Sequence, residues 1–90
     1  MPDWVPSESD ILWCKNLIRI LKDKAIWGTS IGTYILNKES QVLTLSVLSP
    51  FAKKDEYERI HLRSKTCFKK IGYTVTETDE VRRQIKDKWE

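Results

Sequence analysis

The sequence predicts an α+β domain with the element order α-β-β-α-β-α, in which two long helices pack on one face of a three-stranded, mainly antiparallel sheet. Three observations support this fold class. Two segments carry apolar residues at helical spacing, the segment between them alternates apolar and polar residues, and a glycine separates the second helix from a short strand. Ninety residues fit one domain, so we expect residues 1–90 to form a single unit.

The first helix is predicted from Ser7 to Lys24. Ser7 can cap it, with Asp10 three residues later in the place of the usual capping-box glutamate. The residues on its apolar face are Ile11, Cys14, Leu17, Ile18 and Leu21. Trp13 and Ile20 widen this face to nearly half of the circumference. A face this broad predicts contact with the sheet and with either the last helix or another subunit.

A β-hairpin is predicted from Ile31 to Val47, with its turn at residues 37–40. Gly28 and Gly32 bracket the entry to the hairpin and permit a bulge or bend there. The polar face of the predicted sheet consists of Val42, Thr44, Ser46, Thr74 and Thr76. We expect this face to be open, and an unpaired sheet edge is one route to a dimer.

The second helix is predicted from Asp55 to Ile71, because Gly72 suits the left-handed position after a helix end. A short strand follows at residues 73–76. A final short helix is predicted at about residues 79–89, with Val81, Ile85 and Trp89 recurring at spacings of four on one side. This terminal helix either docks on the domain, closing a sheet edge, or contacts a partner.

The four tryptophans and two cysteines have separate predicted roles. Trp13 and Trp27 are expected in the core, whereas Trp4 and Trp89 either anchor the ends of the chain or contact a partner. Cys14 and Cys67 fall on the inward sides of their helices, where we expect free thiols, with a bridge open to them if the helices lie side by side.

Nothing at the start of the sequence resembles a signal peptide, and the apolar stretches are too short to span a bilayer. We therefore expect a cytoplasmic protein without membrane contact.

The formal net charge of +3 arises in the second half of the chain. Residues 51–90 carry eleven basic and eight acidic groups, against five of each in residues 1–50. A phosphate-binding surface would use Arg59, Arg63, Lys69, Lys70, Arg82 and Lys86. The bases also follow acids along each helix, however, which is the distribution that the helix dipole favours without any ligand. Nucleic-acid binding is therefore the alternative and not the leading prediction.

The sequence shows no catalytic or metal-binding pattern. His61 is the only histidine, and neither a nucleophile nor a carboxylate lies at local spacing from it, so we expect a half-buried helical histidine. Cys14, His61 and Cys67 lack a fourth zinc ligand and the usual ligand spacing. We predict no enzyme activity, no cofactor and no metal, while residues distant in sequence could still assemble a pocket.

Two stretches, Trp4-Val5-Pro6 followed by Asp10-Ile11-Leu12-Trp13, and the later Ile71-Gly72-Tyr73-Thr74-Val75, resemble a pattern in short uncharacterised bacterial proteins. Those proteins share the order helix, hairpin, helix, strand. The resemblance covers most of the chain loosely and its motifs are structural. It implies a bacterial or phage origin, and it carries no activity and no functional residues.

The leading prediction is a small non-enzymatic module that binds a protein partner or a second copy of itself. Leu62 lies on the outward side of the second helix beside arginine and lysine, which is typical of a small protein-binding patch. The candidate interaction residues are Leu62, Arg59, Thr66, Lys69, Val81, Ile85 and Trp89.

Overall fold

The computed structural model describes residues 3–90 and confirms the α+β class. The helices are α1 (Glu8–Ile20), α2 (Lys54–Tyr57), a π-helical segment (Glu58–Leu62), α3 (Arg63–Lys69) and α4 (Asp79–Trp89), and the strands are β1 (Ile26–Thr29), β2 (Gly32–Asn37), β3 (Val42–Leu48) and β4 (Thr74–Glu77). The segments α2, π and α3 follow one another without a break, and together we name them the central helix.

The sheet has four strands in the order β1-β2-β3-β4, so the prediction of three strands is wrong. β1, β2 and β3 form an antiparallel meander, and β4 pairs with β3 in parallel. The parallel pairing follows from the connection, because the central helix carries the chain back before β4 begins. The strand that the sequence pattern missed, β1, is four residues long and contains Gly28, which weakens a strand pattern.

Gly32 allows β2 and β3 to approach at a bulge. Its φ angle is +151°, and a Cβ atom at this position would lie 2.0 Å from the Val47 carbonyl oxygen. The pairing register shifts between Thr33 and Tyr34, within the stretch where the glycines predicted a bulge or bend. Beyond the bulge, Tyr34 and Leu36 turn to the buried face of the sheet.

The predicted capping box of α1 is confirmed. The Ser7 Oγ atom accepts a hydrogen bond from the Asp10 amide at 3.2 Å, and the Asp10 carboxylate accepts one from the Ser7 amide at 2.8 Å. The helix ends at Ile20 and not at Lys24, because Leu21 is extended and Lys24 adopts a φ of +64°. The Lys24 amide then donates to the Leu36 carbonyl, which leads the chain into the sheet.

The central helix contains a π-helical turn at Glu58–Leu62. A π-turn widens the helix by one residue, so side chains in and after it are rotated from their positions on an ideal helical wheel. His61 is 0% exposed, and the prediction of half-burial is therefore wrong. The helix ends at Lys69, where residues 70–72 form a turn and Gly72 takes a φ of +84°.

The core lies between one face of the sheet and the helices. The molecule measures 19 Å along its shortest axis, as expected for helices layered on a sheet. α4 docks on this core, since Val81 and Ile85 are buried and Trp89 stacks on Tyr57 at 4.9 Å between ring centroids. The Val81, Ile85 and Trp89 stripe therefore contacts the chain's own core, in which Val81 and Ile85 are buried and Trp89 is partly buried.

Two further expectations are corrected by side-chain exposure. Trp13, expected in the core, is 52% exposed. On the sheet face opposite the core, Ile26 and Ile35 face each other across β1 and β2 and are both exposed, so this face is less polar than predicted. Among residues 3–90, no helix has the length and apolar character needed to cross a membrane.

Candidate functional site

The strongest candidate site is a cavity of about 180 Å³ between α1 and the central helix. We name it the tryptophan–arginine groove. Its lining residues are Trp4, Asp10, Trp13, Cys14, Arg59, Arg63, Ser64 and Cys67. Three stretches of the chain contribute: the segment before α1, α1 itself and the central helix. Sequence patterns within one element could not reveal this combination.

Arg59 and Arg63 lie four residues apart on the central helix, and both line the groove. The Arg63 guanidinium carbon lies 5.2 Å from the centroid of the Trp4 ring, a cation–π contact that holds the segment before α1 against the central helix. Trp4 is half-buried and packs against the core. It therefore acts as an anchor and also forms part of the groove wall.

Trp13 connects the groove to the sheet. Its ring lies 5.8 Å from that of Trp27 on β1, and Trp27 in turn lies 5.2 Å from the ring of Tyr34. A second depression adjoins the groove beside Trp13 and Trp27, and Arg59 lines both of them. The half-exposed indole of Trp13 is thus supported from behind by the partly buried ring of Trp27, which itself packs on the buried ring of Tyr34.

The predicted Leu62 patch adjoins the groove. Leu62 is 41% exposed and lines a depression together with Arg59, Arg63, Thr66 and Trp4. Three acidic residues, Asp3, Asp55 and Glu58, line the same depression. Leu62, Arg59 and Thr66 of the predicted patch therefore lie together, whereas Lys69 does not line this depression. Trp4 and Arg63, which the prediction did not include, also line it, and the surface carries charges of both signs.

The other basic residues predicted to bind phosphate lie at two separate places, the far end of the central helix and α4. Lys69 and Lys70 line a third depression with Lys65 and Thr66, at the far end of the central helix. Arg82 instead contacts Glu77 at 3.4 Å and Asp79 at 3.2 Å. Lys86 is exposed on α4. The six residues predicted for phosphate binding thus include three on the central helix, Lys70 in the turn that follows it, and two on α4, where Arg82 is already paired.

Two thiols form the floor of the groove. The Sγ atoms of Cys14 and Cys67 lie 2.9 Å apart, and both residues are buried as free cysteines. Burial raises the pKa of the Cys14 thiol, and its contact with Cys67 adds to the effect. The predicted inward position of both cysteines is confirmed, and α1 and α3 do lie side by side.

A second feature, behind the groove, is a buried polar network around His61. The Tyr34 hydroxyl lies 2.8 Å from Nδ1 of His61, and Oε2 of Glu77 lies 2.8 Å from Nε2. Burial lowers the pKa of His61, although the hydrogen bond to Glu77 partly opposes this. The neutral imidazole therefore accepts from Tyr34 at Nδ1 and donates from Nε2 to Glu77.

Glu77 connects this network to the surface. Its Oε2 atom lies 3.1 Å from the Lys65 ammonium, and its other oxygen lies 3.4 Å from Nε of Arg82. Burial raises the pKa of Glu77, but hydrogen bonds from His61 and Lys65 outweigh this, so that the net pKa is lowered. The Tyr57 ring stacks beside His61 at 5.5 Å and links the network to Trp89 on α4.

The His61 network was not predictable from local spacing, because Tyr34 and Glu77 lie 27 and 16 residues away in the sequence. Both ring nitrogens are hydrogen-bonded within the chain and the ring is fully buried, so the imidazole in this arrangement presents no free nitrogen to a substrate. Across residues 3–90, no three or more His, Cys, Asp or Glu side chains cluster as metal ligands would.

Comparison with models of known protein families, with curated proteins and with solved structures finds no match. The resemblance to short bacterial proteins stays a prediction.

Proposed function

We propose that this chain is a small protein-interaction module that binds a protein partner through the tryptophan–arginine groove and the adjoining Leu62. The observation that supports this most directly is the convergence of Trp4, Trp13, Arg59 and Arg63 on one concave surface. Tryptophan and arginine are the side chains most enriched at the energetic centres of protein interfaces. An indole that is 52% exposed yet supported from behind can bind a partner with little further loss of side-chain entropy.

The charges around Leu62 favour a protein partner over a nucleic acid. Asp3, Asp55 and Glu58 line the same depression as the two arginines. Carboxylates beside arginine repel a phosphate backbone, whereas protein interfaces commonly have a rim of both charges. A partner segment with an apolar anchor and charges of both signs fits this surface.

The test compares affinity capture by the wild type with capture by Trp13→Ala, Arg59→Ala and Leu62→Asp, read by quantitative mass spectrometry on extracts of cells that express the protein. Arg83→Ala is the matched control, because Arg83 is an exposed arginine on α4. We expect one set of proteins to be lost with all three variants and kept with the control. Retention of every captured protein by all three variants would contradict the proposal.

Self-association is tested separately, because a second copy of the chain is one candidate partner. Sedimentation velocity over a hundredfold range of concentration (about 1 to 100 μM, spanning common affinities) detects a dimer. If the wild type dimerises and Trp13→Ala does not, the partner of the groove is a second copy. A dimer that all groove variants keep must use another surface, such as a sheet edge.

Nucleic-acid binding is the second candidate, supported by the depression that Lys65, Lys69 and Lys70 line at the end of the helix that carries Arg59 and Arg63. Single-stranded nucleic acid combines phosphate contacts with base stacking, for which Trp13 is exposed. With five such phosphate contacts, affinity for a labelled single strand should fall about a hundredfold between 50 and 200 mM salt. No change in anisotropy even at low salt would exclude this candidate.

A further inference from the structure

We propose that Cys14 and Cys67 are a site of reversible modification: they join in an intramolecular disulfide that fixes the floor of the tryptophan–arginine groove. The two residues lie 53 positions apart in sequence, on α1 and α3, yet their sulfur atoms are 2.9 Å apart. A disulfide needs a separation of about 2.04 Å, so the sulfurs must approach by only about 0.9 Å. Small rotations of two side chains on adjacent helices can supply this movement.

The groove gives an oxidant its path to the thiols. Both cysteines line the cavity, although each is at most 4% exposed. A small oxidant such as hydrogen peroxide can enter a cavity of about 180 Å³, whereas another protein's thiol cannot reach its floor. The raised pKa of Cys14 keeps its thiol protonated, so we expect oxidation over minutes to hours and not the rapid reaction of a dedicated peroxide sensor.

The chemistry is balanced with peroxide as the only co-reactant. One thiolate attacks a peroxide oxygen, which breaks the O–O bond, releases hydroxide and leaves a sulfenic acid. The second sulfur then attacks the sulfenic sulfur, the S–S bond forms, and water leaves with the thiol proton. Overall, two thiols lose two electrons and two protons, and one hydrogen peroxide becomes two water molecules.

The bond acts on the groove because of what flanks each cysteine. Trp13 directly precedes Cys14 on α1, and Arg63 lies one helical turn before Cys67 on α3. Joining the two sulfurs fixes α1 against α3 at the base of the groove, and therefore fixes the spacing of Trp13 and Arg63 across it. Control of partner binding rests on the proposed function, whereas formation of the disulfide does not.

The first test treats the purified chain with hydrogen peroxide and measures its mass and its melting temperature. We expect a loss of 2 Da (two hydrogen atoms), no dimer on a non-reducing gel, and a rise in Tm of about 10 °C that a reductant reverses. Cys14→Ser and Cys67→Ser are the matched controls, and neither should show the mass loss or the rise in Tm. Gains of one or more oxygen atoms in the wild type, intermolecular dimers, or two thiols that remain free would overturn the proposal.

The second test asks whether the groove responds, and it needs no partner. The indole N–H signals of the tryptophans are assigned in an NMR spectrum by single Trp→Phe variants. Oxidation should shift the signals of Trp4 and Trp13 and leave that of Trp89, which stacks on Tyr57, in place. A disulfide that forms without moving the Trp4 and Trp13 signals would overturn control of the groove. This result differs from a failure of the proposed function. In that case the Trp4 and Trp13 signals would shift on oxidation, but no partner would bind through the groove.

Discussion

At the scale of single residues, His61 is a buried polar side chain whose hydrogen bonds are all made within the protein. Its ring is fully buried, its two nitrogens are each hydrogen-bonded at 2.8 Å, and it stacks beside two tyrosines. Removing the imidazole would leave the buried Tyr34 hydroxyl without its partner, at a cost of about 1–3 kcal/mol. Glu77 would lose one hydrogen bond but keep its contacts with Lys65 and Arg82. The network therefore stabilises one arrangement of β2, the central helix and β4.

This burial predicts a dependence of stability on pH. The pKa of His61 is lowered in the folded state from its usual 6.5, so below pH 6.5 the unfolded state binds more protons than the folded state. Stability is then fully present above pH 6.5 and falls as the pH is lowered. His61 is the only histidine, so the change in unfolding free energy between pH 7 and 5.5, measured by urea titration, should be nearly absent in His61→Gln. An equal slope in the variant would contradict this assignment.

A second decrease is expected at lower pH, where Glu77 is protonated. Its pKa is lowered from the usual 4.5 in the folded state, so its contribution is present above pH 4.5 and is lost as the pH falls further. Glu77→Gln should remove part of this acid sensitivity and leave the decrease between pH 7 and 5.5 largely intact. Urea titrations at pH 5 and pH 3 measure the difference.

At the scale of elements, sequence patterns predicted the features that are determined by residues close together in the chain. The Ser7–Asp10 capping box and the order of the helices belong to this class. β1 was missed because four residues with Gly28 carry little alternation, and the depth of His61 was missed because the π-turn breaks the helical period that a wheel assumes. The first miss arises because pairing with β2 decides the conformation of β1, and the second because the helix itself departs from the α-helical period.

Gly32 gives the sharpest prediction at this scale. A Cβ atom at this position would lie 2.0 Å from the backbone oxygen of Val47, and an alanine would also have to adopt a φ angle of +151°. Gly32→Ala should therefore lower the unfolding free energy by about 3 kcal/mol or more. Gly28→Ala is the matched control, because no atom lies within 4 Å of a Cβ atom at that position. Urea denaturation compares the two, and equal effects would show that the strands separate easily at the bulge.

At the scale of the whole molecule, the core and the groove use different side chains. Phe68, Tyr34 and Leu43 are 0% exposed, whereas Trp13 and Arg59 are exposed. The sequence predicted most of the core, because burial follows helical and strand periods. It could not predict the groove, since that surface exists only where the segment before α1, α1 and the central helix meet.

This division predicts that stability and binding can be changed separately. Arg59→Ala removes an exposed side chain and should change the unfolding free energy by no more than about 0.5 kcal/mol, while a groove partner should bind at least about fivefold more weakly. Phe68→Ala removes a buried ring and should cost about 3–5 kcal/mol. Its folded fraction should nevertheless bind the partner with wild-type affinity, because Phe68 does not line the groove. Isothermal titration calorimetry below the melting temperature, corrected for the folded fraction, measures the affinity of both variants, and urea denaturation measures their unfolding free energies.

If Phe68→Ala weakened binding as much as Arg59→Ala did, the groove would depend on the packing of the whole domain. The partner surface would then not be a local property of the exposed tryptophan and arginine side chains.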